Sequence, residues 1–219
     1  MVSLINQVSV EKTSSIVATA RTLTLSKATQ AGDKLYLFVN TGTTNGSSNP
    51  SIIDDITSGG WTTLASVTNN SQGCFLYSNT VSGITKVIWT PAVAVLSSSA
   101  VLSLSGYTLI GSSTGSALSG AAVIPSQTIN NSGDLIVGIA ANGNYNIGTN
   151  PVNTVLVGAG ASALQLGSYT LAIPNATSSQ SITLGTTNPW VSLGASFAAA
   201  ASGGGGIILN RGQLTALGA

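Results

Sequence analysis

Histidine is absent from this chain and charge nearly so: six Lys or Arg and five Asp or Glu stand among 219 residues, a formal net charge of +1. From 135 to 210 no side chain is charged at all. Without histidine there is no Ser–His or Cys–His nucleophile and no imidazole metal ligand, and acid–base chemistry is left to a few carboxylates and lysines. The single cysteine, Cys74, has no partner for an intrachain disulfide and reads as a small buried residue in a strand. Lys12, Arg21, Lys27, Lys34, Lys86 and Arg211 are scattered, so no basic stripe can follow a phosphate backbone, and nucleic acid is not an expected partner. No run approaches the ~18 apolar residues of a membrane helix. Met1-Val2-Ser3-Leu4-Ile5 also lacks the basic and apolar regions of a secretory signal. These absences lead us to expect a protein made in a cytoplasm, with no cofactor, no metal and no catalytic residues.

What is present is Ser, Thr, Asn, Gly and apolar residues in short alternating runs. Ser15–Thr19, Thr22–Leu25, Lys34–Val39, Cys74–Ser78, Thr85–Trp89 and Ala100–Leu104 are rich in β-branched, aromatic and alternating residues, and Gly, Asn and Ser punctuate them. No window sustains helical apolar spacing over three turns. The expected class is all-β, an antiparallel β-sandwich. The stretch 41–51 reads as a loop, and 111–120 as a Ser/Gly-rich connection.

After that connection the pattern starts again. Gly32-Asp33-Lys34-Leu35-Tyr36-Leu37-Phe38-Val39 has a counterpart in Gly133-Asp134-Leu135-Ile136-Val137-Gly138-Ile139-Ala140. The segments 61–67 and 152–157, 75–81 and 166–172, and 100–106 and 191–198 follow in the same order. In each half Gly-Asp makes a tight turn into an apolar run that reads as a central strand covered on both faces. We therefore expect a sandwich over 1–201 made of two pseudo-repeat halves, about 15–110 and 121–201, packed face to face or interleaved.

The order Gly-Asp-x-Leu-x-Leu-x-Val, Asn/Gly loop, Gly60-Trp61-Thr62-x-Leu64, aromatic strand with Tyr77, then a Ser-rich strand ending at Ser105-Gly106 resembles the jelly-roll-type β-sandwich domains of bacteriophage virion proteins and bacterial surface proteins. The resemblance runs from Ser15 to about Ala201, and the second half lacks the Gly-Trp pair. It implies a jelly-roll fold, a role in assembly or adhesion, and no catalytic residues.

Beyond Ala201 the composition changes. Ser202-Gly203-Gly204-Gly205-Gly206 offers nothing to hold a strand or helix and reads as a linker. It leads into 207–219, where Ile207, Ile208, Leu209, Leu214 and Leu217 accompany one charge, Arg211. A solvated tail has no use for such apolar content, so 207–219 reads as a docking arm that adds to a neighbour's sheet edge.

The remaining candidates for chemistry are few. Asp54-Asp55 is the one acidic pair. It suggests Ca²⁺ ligation or, more simply, a solvated turn, and adjacent strand positions point the two side chains to opposite faces. Gly111-Ser112-Ser113-Thr114-Gly115 has the spacing of a nucleophile elbow without a following helix. Trp61 and Trp89 read as core residues, and Tyr145, in Asn142-Gly143-Asn144-Tyr145-Asn146, as an exposed loop residue able to stack on a sugar. The function expected from these features is that of a non-enzymatic structural subunit of a phage particle, whether capsid decoration, cement, or a head- or tail-attached fibre component. Such a subunit would be a homo-oligomer that contacts other virion proteins through sheet edges and the arm. The alternative is a carbohydrate-binding or host-adhesion module.

Overall fold

The computed structural model describes residues 5–42, 48–57, 59–69, 72–118, 122–129, 135–142, 145–146, 153–157, 162–168, 176–184 and 189–199. Among them are sixteen strands and no helix. The first eight are β1 (Ile5–Val17), β2 (Arg21–Thr24), β3 (Asp33–Gly42), β4 (Ser51–Asp54), β5 (Thr62–Thr68), β6 (Gly73–Asn79), β7 (Lys86–Thr90) and β8 (Val95–Ser105). The second eight are β9 (Tyr107–Ala117), β10 (Ala122–Ile129), β11 (Leu135–Asn142), β12 (Tyr145–Asn146), β13 (Asn153–Val157), β14 (Ser162–Ser168), β15 (Ala176–Leu184) and β16 (Trp190–Ala199).

Every strand pair among the described residues is antiparallel. The first eight strands form a five-stranded sheet, β1-β8-β3-β6-β5, and a three-stranded sheet, β2-β7-β4. The last eight form β9-β16-β11-β14-β13 and β10-β15-β12. Adding eight to each strand number of the first unit reproduces the second. The topology thus repeats strand for strand, although the two amino-acid sequences share little beyond pattern.

The sheets stack in four layers, with the five-stranded sheets inside and the three-stranded sheets outside. Strand β3 shows how alternation dictates this. Tyr36 and Phe38 face the other unit's inner sheet, and Leu35, Leu37 and Val39 face the first unit's outer sheet, so both faces are apolar and buried. Between the inner sheets, Tyr36, Phe38, Leu76, Leu102 and Leu104 pack against Val137, Ile139, Val191, Leu193 and Phe197. The Phe197 ring stands edge-on to Tyr36 at 4.7 Å and to Phe38 at 6.5 Å between centroids. Between the first unit's two sheets, Leu35, Leu37, Val39, Phe75, Tyr77 and Val101 meet Leu23, Leu25, Ile84, Val87 and Trp89. Cys74 is fully buried in the inter-unit core.

Across the central interface β1 lies over β13 and β5 over β9. Each unit's first strand therefore covers the other unit's fifth, as a twofold relation between the units would place them. The chain passes from one inner sheet to the other through a single residue, Gly106, at φ 73, a left-handed conformation that side-chain-bearing residues rarely adopt. So short a junction ties the units together.

Three expectations need correction. The Ser/Gly-rich stretch 111–120 is mainly strand: β9 runs through Ala117 and pairs with β16 along its whole length. Its small residues serve close packing, because a Cβ on Gly115 would stand 3.1 Å from Ser192 Oγ and 3.3 Å from Pro125 Cγ of the outer strand β10. The first strand begins at Ile5 rather than Ser15. Tyr145 lies in the two-residue strand β12, opposite Leu184, rather than in a loop, and its side chain is outside the described residues.

Candidate functional site: polar clusters and open sheet edges

The acidic pair was the chief candidate for chemistry, and both carboxylates are occupied by the protein itself. Asp54 ends β4 and is buried, not solvated. Its Oδ1 accepts from the backbone N–H groups of Ile56 (2.9 Å) and Thr57 (2.5 Å). Its Oδ2 accepts from Thr57 Oγ1 (2.9 Å), Trp61 Nε1 (3.0 Å) and Asn79 Nδ2 (3.1 Å). One carboxylate thus holds the turn after β4, the half-buried Trp61 before β5, and the end of β6. Asp55 points to the outside and accepts from the N–H and hydroxyl of Thr85 and the N–H of Lys86. Burial pushes its pKa up, but these three donors outweigh that and leave the carboxyl below its ordinary range. The opposite directions of the two side chains follow from strand alternation. With five donor groups on Asp54 and three on Asp55, the pair acts as two staples. Among the described residues no group of three or more His, Cys, Asp or Glu converges.

A second polar cluster escaped sequence reading. Arg21 opens β2 and is 4% exposed. Its guanidinium lies 3.7 Å from Glu11 on β1, donates to Ser97 Oγ at 3.2 Å, and stands 5.6 Å over the Trp89 ring. It also donates to the carbonyls of Thr19 and Val17. Trp89 Nε1 donates to Ser99 Oγ at 2.9 Å, and Ser99 in turn to Glu11 at 3.4 Å. Burial lowers the Arg21 pKa, and Glu11 draws it back up. The signal was present in the sequence: Arg21 shares alternation parity with Leu23 and Leu25, so it points inward with them. The cluster fastens edge strand β1 to the outer sheet.

The motif Gly111-Ser112-Ser113-Thr114-Gly115 lies inside β9, where Ser113 Oγ accepts from Gln127 Nε2 of β10. It joins two layers and makes no nucleophile elbow. The aromatic inventory is equally committed: Trp89, Trp190, Tyr36, Tyr77 and Tyr107 are buried, and Trp61 is half-buried. Burial raises the pKa of Tyr77 far above the ordinary phenol range. Burial also raises that of Tyr36, against a hydrogen bond with the Leu109 backbone that bridges the inner sheets.

What remains for contact with a partner is edges. In both inner sheets the register breaks only on the outermost strands, namely β1, β5, β9 and β13. The interior pairs β3–β6, β3–β8, β11–β14 and β11–β16 run without interruption. Bulges and charges are the usual devices that keep an edge from pairing with another chain. Here β1 carries both, with Glu11 and Lys12, whereas β5, β9 and β13 carry no charge at all. On β9 every second residue is exposed, and two of these are large and apolar: Ile110 at 42% and, just past the strand, Leu118 at 80%. Among the described residues no strand pairs with the far side of β9. The arm residues Ile207, Ile208, Leu209, Arg211, Leu214 and Leu217 lie outside the described residues. No family model, no curated protein and no solved structure matches the chain.

Proposed function

We propose that this protein is a non-enzymatic structural subunit of a virus particle of the bacteriophage kind. It would be made in the host cytoplasm and held to its neighbours through sheet edges and the segment 207–219. The observation that carries this reading is the long, uncharged β9 edge, presented by a stack whose buried carboxylates and aromatics are engaged in holding layers together. Such a molecule offers backbone hydrogen bonds and apolar area to another chain, and that is how sheet-edge recognition works. The strand order adds support. The series 1-8-3-6 opposite 2-7-4 is the order of a jelly roll, here with the fifth strand moved onto the inner sheet, and it occurs twice. Capsid decoration, cement, and a head- or tail-attached fibre component all fit this architecture.

The test is association. Light scattering behind size exclusion, together with negative-stain images, should find a homo-oligomer or attachment to purified phage particles, with a stable contact burying about 1,200 Å² or more. A protein that stays monomeric at high concentration and binds no particle would overturn the reading. The carbohydrate-binding alternative rests on Tyr145 by its place in the sequence, since the described Trp and Tyr rings are buried or half-buried. Retention on cell-wall polysaccharide that is lost in Tyr145→Ala would favour it.

A further inference from the structure

We infer that the segment 207–219 of one copy adds as an antiparallel strand to the β9 edge of a second copy. This deepens the assembly reading above and rests on it.

The first argument is pattern. The exposed row on and after β9 reads Thr108, Ile110, Ser112, Thr114, Ser116, Leu118, in which two large apolar residues, Ile110 and Leu118, flank three small polar ones. The odd positions of the segment read Ile207, Leu209, Arg211, Gln213, Thr215, Leu217, Ala219, and from 209 to 217 they have the same spacing and the same order of character. Laid antiparallel, Leu209 falls opposite Leu118 and Leu217 opposite Ile110, and the three polar pairs fall between. Cross-strand apolar pairs at both ends pin a register, because a slip of one residue sends every side chain to the wrong face. The β5 edge offers no such match: it is shorter and exposes Thr and Ser without a large apolar residue.

The second argument is reach. Strand β16 ends with Ala199 opposite Tyr107, so the chain leaves the inner sheet at the beginning of β9. To place Leu209 beside Leu118 on its own edge, it would have to travel the length of β9, about 36 Å at ~3.3 Å per residue, and also step across that strand. Leu209 is ten residue steps beyond Ala199, and fully extended these span at most about 33–36 Å. A Gly-rich stretch of that length typically spans only about 17–19 Å. In that register its own chain therefore reaches β9 only in the parallel direction, which no strand pair among the described residues uses. A second copy has no such limit. Because the donated segment and the accepting edge are different parts of the chain, the contact does not join one patch to itself.

The experiment uses the full chain in two double variants. One is Leu209→Glu with Leu217→Glu, and the other is Ile110→Glu with Leu118→Glu. The latter two positions are exposed, so the fold should survive, and circular dichroism checks this. By analytical ultracentrifugation each variant alone should associate at least tenfold more weakly than the parent. Mixing the two should restore a heterodimer and nothing larger, since only one arm and one edge in the mixture are intact. In a separate preparation, Leu209→Cys mixed with Leu118→Cys should form a covalent dimer, while Leu209→Cys mixed with Ile110→Cys should not. Parent-like association of both double variants would overturn the inference and leave the assembly reading standing, with another surface responsible. A crosslink formed within a single chain carrying both Leu209→Cys and Ile110→Cys would also overturn it, as a parallel fold-back. A parent that never associates and binds no particle would sink both readings.

Discussion

The two units share one topology and differ in how they are fastened. Nine of the eleven charged residues belong to β1–β8 and the turns among them, one (Asp134) precedes β11, and one (Arg211) lies beyond β16. In the first unit, Asp54, Asp55 and Arg21 hold turns and edge strand to the outer sheet through charge-assisted hydrogen bonds. The second unit repeats the strand order with neutral groups; one link between its sheets is Gln127 of β10 with Ser113 of β9. The comparison teaches that ion pairs are not needed to specify this topology. Alternating burial does that in both units, and the charged clusters only tie down one end of one of them.

The largest test of that view lies where the units meet. Phe197→Ala removes the ring lodged against Tyr36 and Phe38 and should cost about 3–5 kcal/mol. Denaturant unfolding should remain a single transition, because the core it damages is common to both units; two separated transitions would break the comparison. Next comes the buried cation. Arg21→Met strands Glu11 beside the outer sheet and should cost about 3 kcal/mol, and adding Glu11→Met should recover part of that loss. Equal loss in single and double variants would mean that packing on Trp89, rather than charge, is what matters.

Asp54→Ala should follow, at about 2 kcal/mol, because it leaves donors on Trp61, Asn79 and the turn backbone without their acceptor. A shift in Trp61 fluorescence should accompany it. In the second unit, Gly115→Ala pushes a methyl group to 3.1 Å from Ser192 Oγ and should cost about 1 kcal/mol. Gly111→Ala meets nothing closer than 3.5 Å and should be close to neutral; a reversal of these two would show that β9 and β10 are not so tightly packed. The smallest effect concerns pH. The pKa of Asp55 is lower in the folded protein than in the unfolded chain, so it stabilises above the ordinary carboxylate pKa of about 3.9. That contribution fades as pH falls through the lowered folded value. The stability gap between the parent and Asp55→Asn, followed by thermal melts, should therefore be full at pH 6 and narrow towards pH 3.

How much was legible depended on whether a feature was local. The doubly covered strand at 34–39 was readable because both faces of β3 are apolar, and its counterpart in β11 was readable from the repeated Gly-Asp and apolar run. Strand β9 was not: Gly, Ser and Thr carry the composition of a loop, and its strand form depends on β16 alongside and β10 beneath. Half of the Asp54 cluster was visible in principle, since Asp54 with Thr57 has the spacing of an Asx-type turn. The other half, Asn79, is twenty-five residues away and arrives only when β6 is in register. Ser97 and Ser99 likewise owe their burial to the enclosure of β8 between two layers, which no short segment reveals.

From its residues alone this chain is committed to alternating strands, a nearly neutral exterior and no histidine chemistry, because side-chain parity and charge belong to each short segment wherever it ends up. Which strands become neighbours, which sheet is buried on both sides and which edges stay open were decided by the tertiary structure. Those outcomes depend on partners far along the chain, and segments this alike in composition could pair in several ways until the four layers closed over one of them.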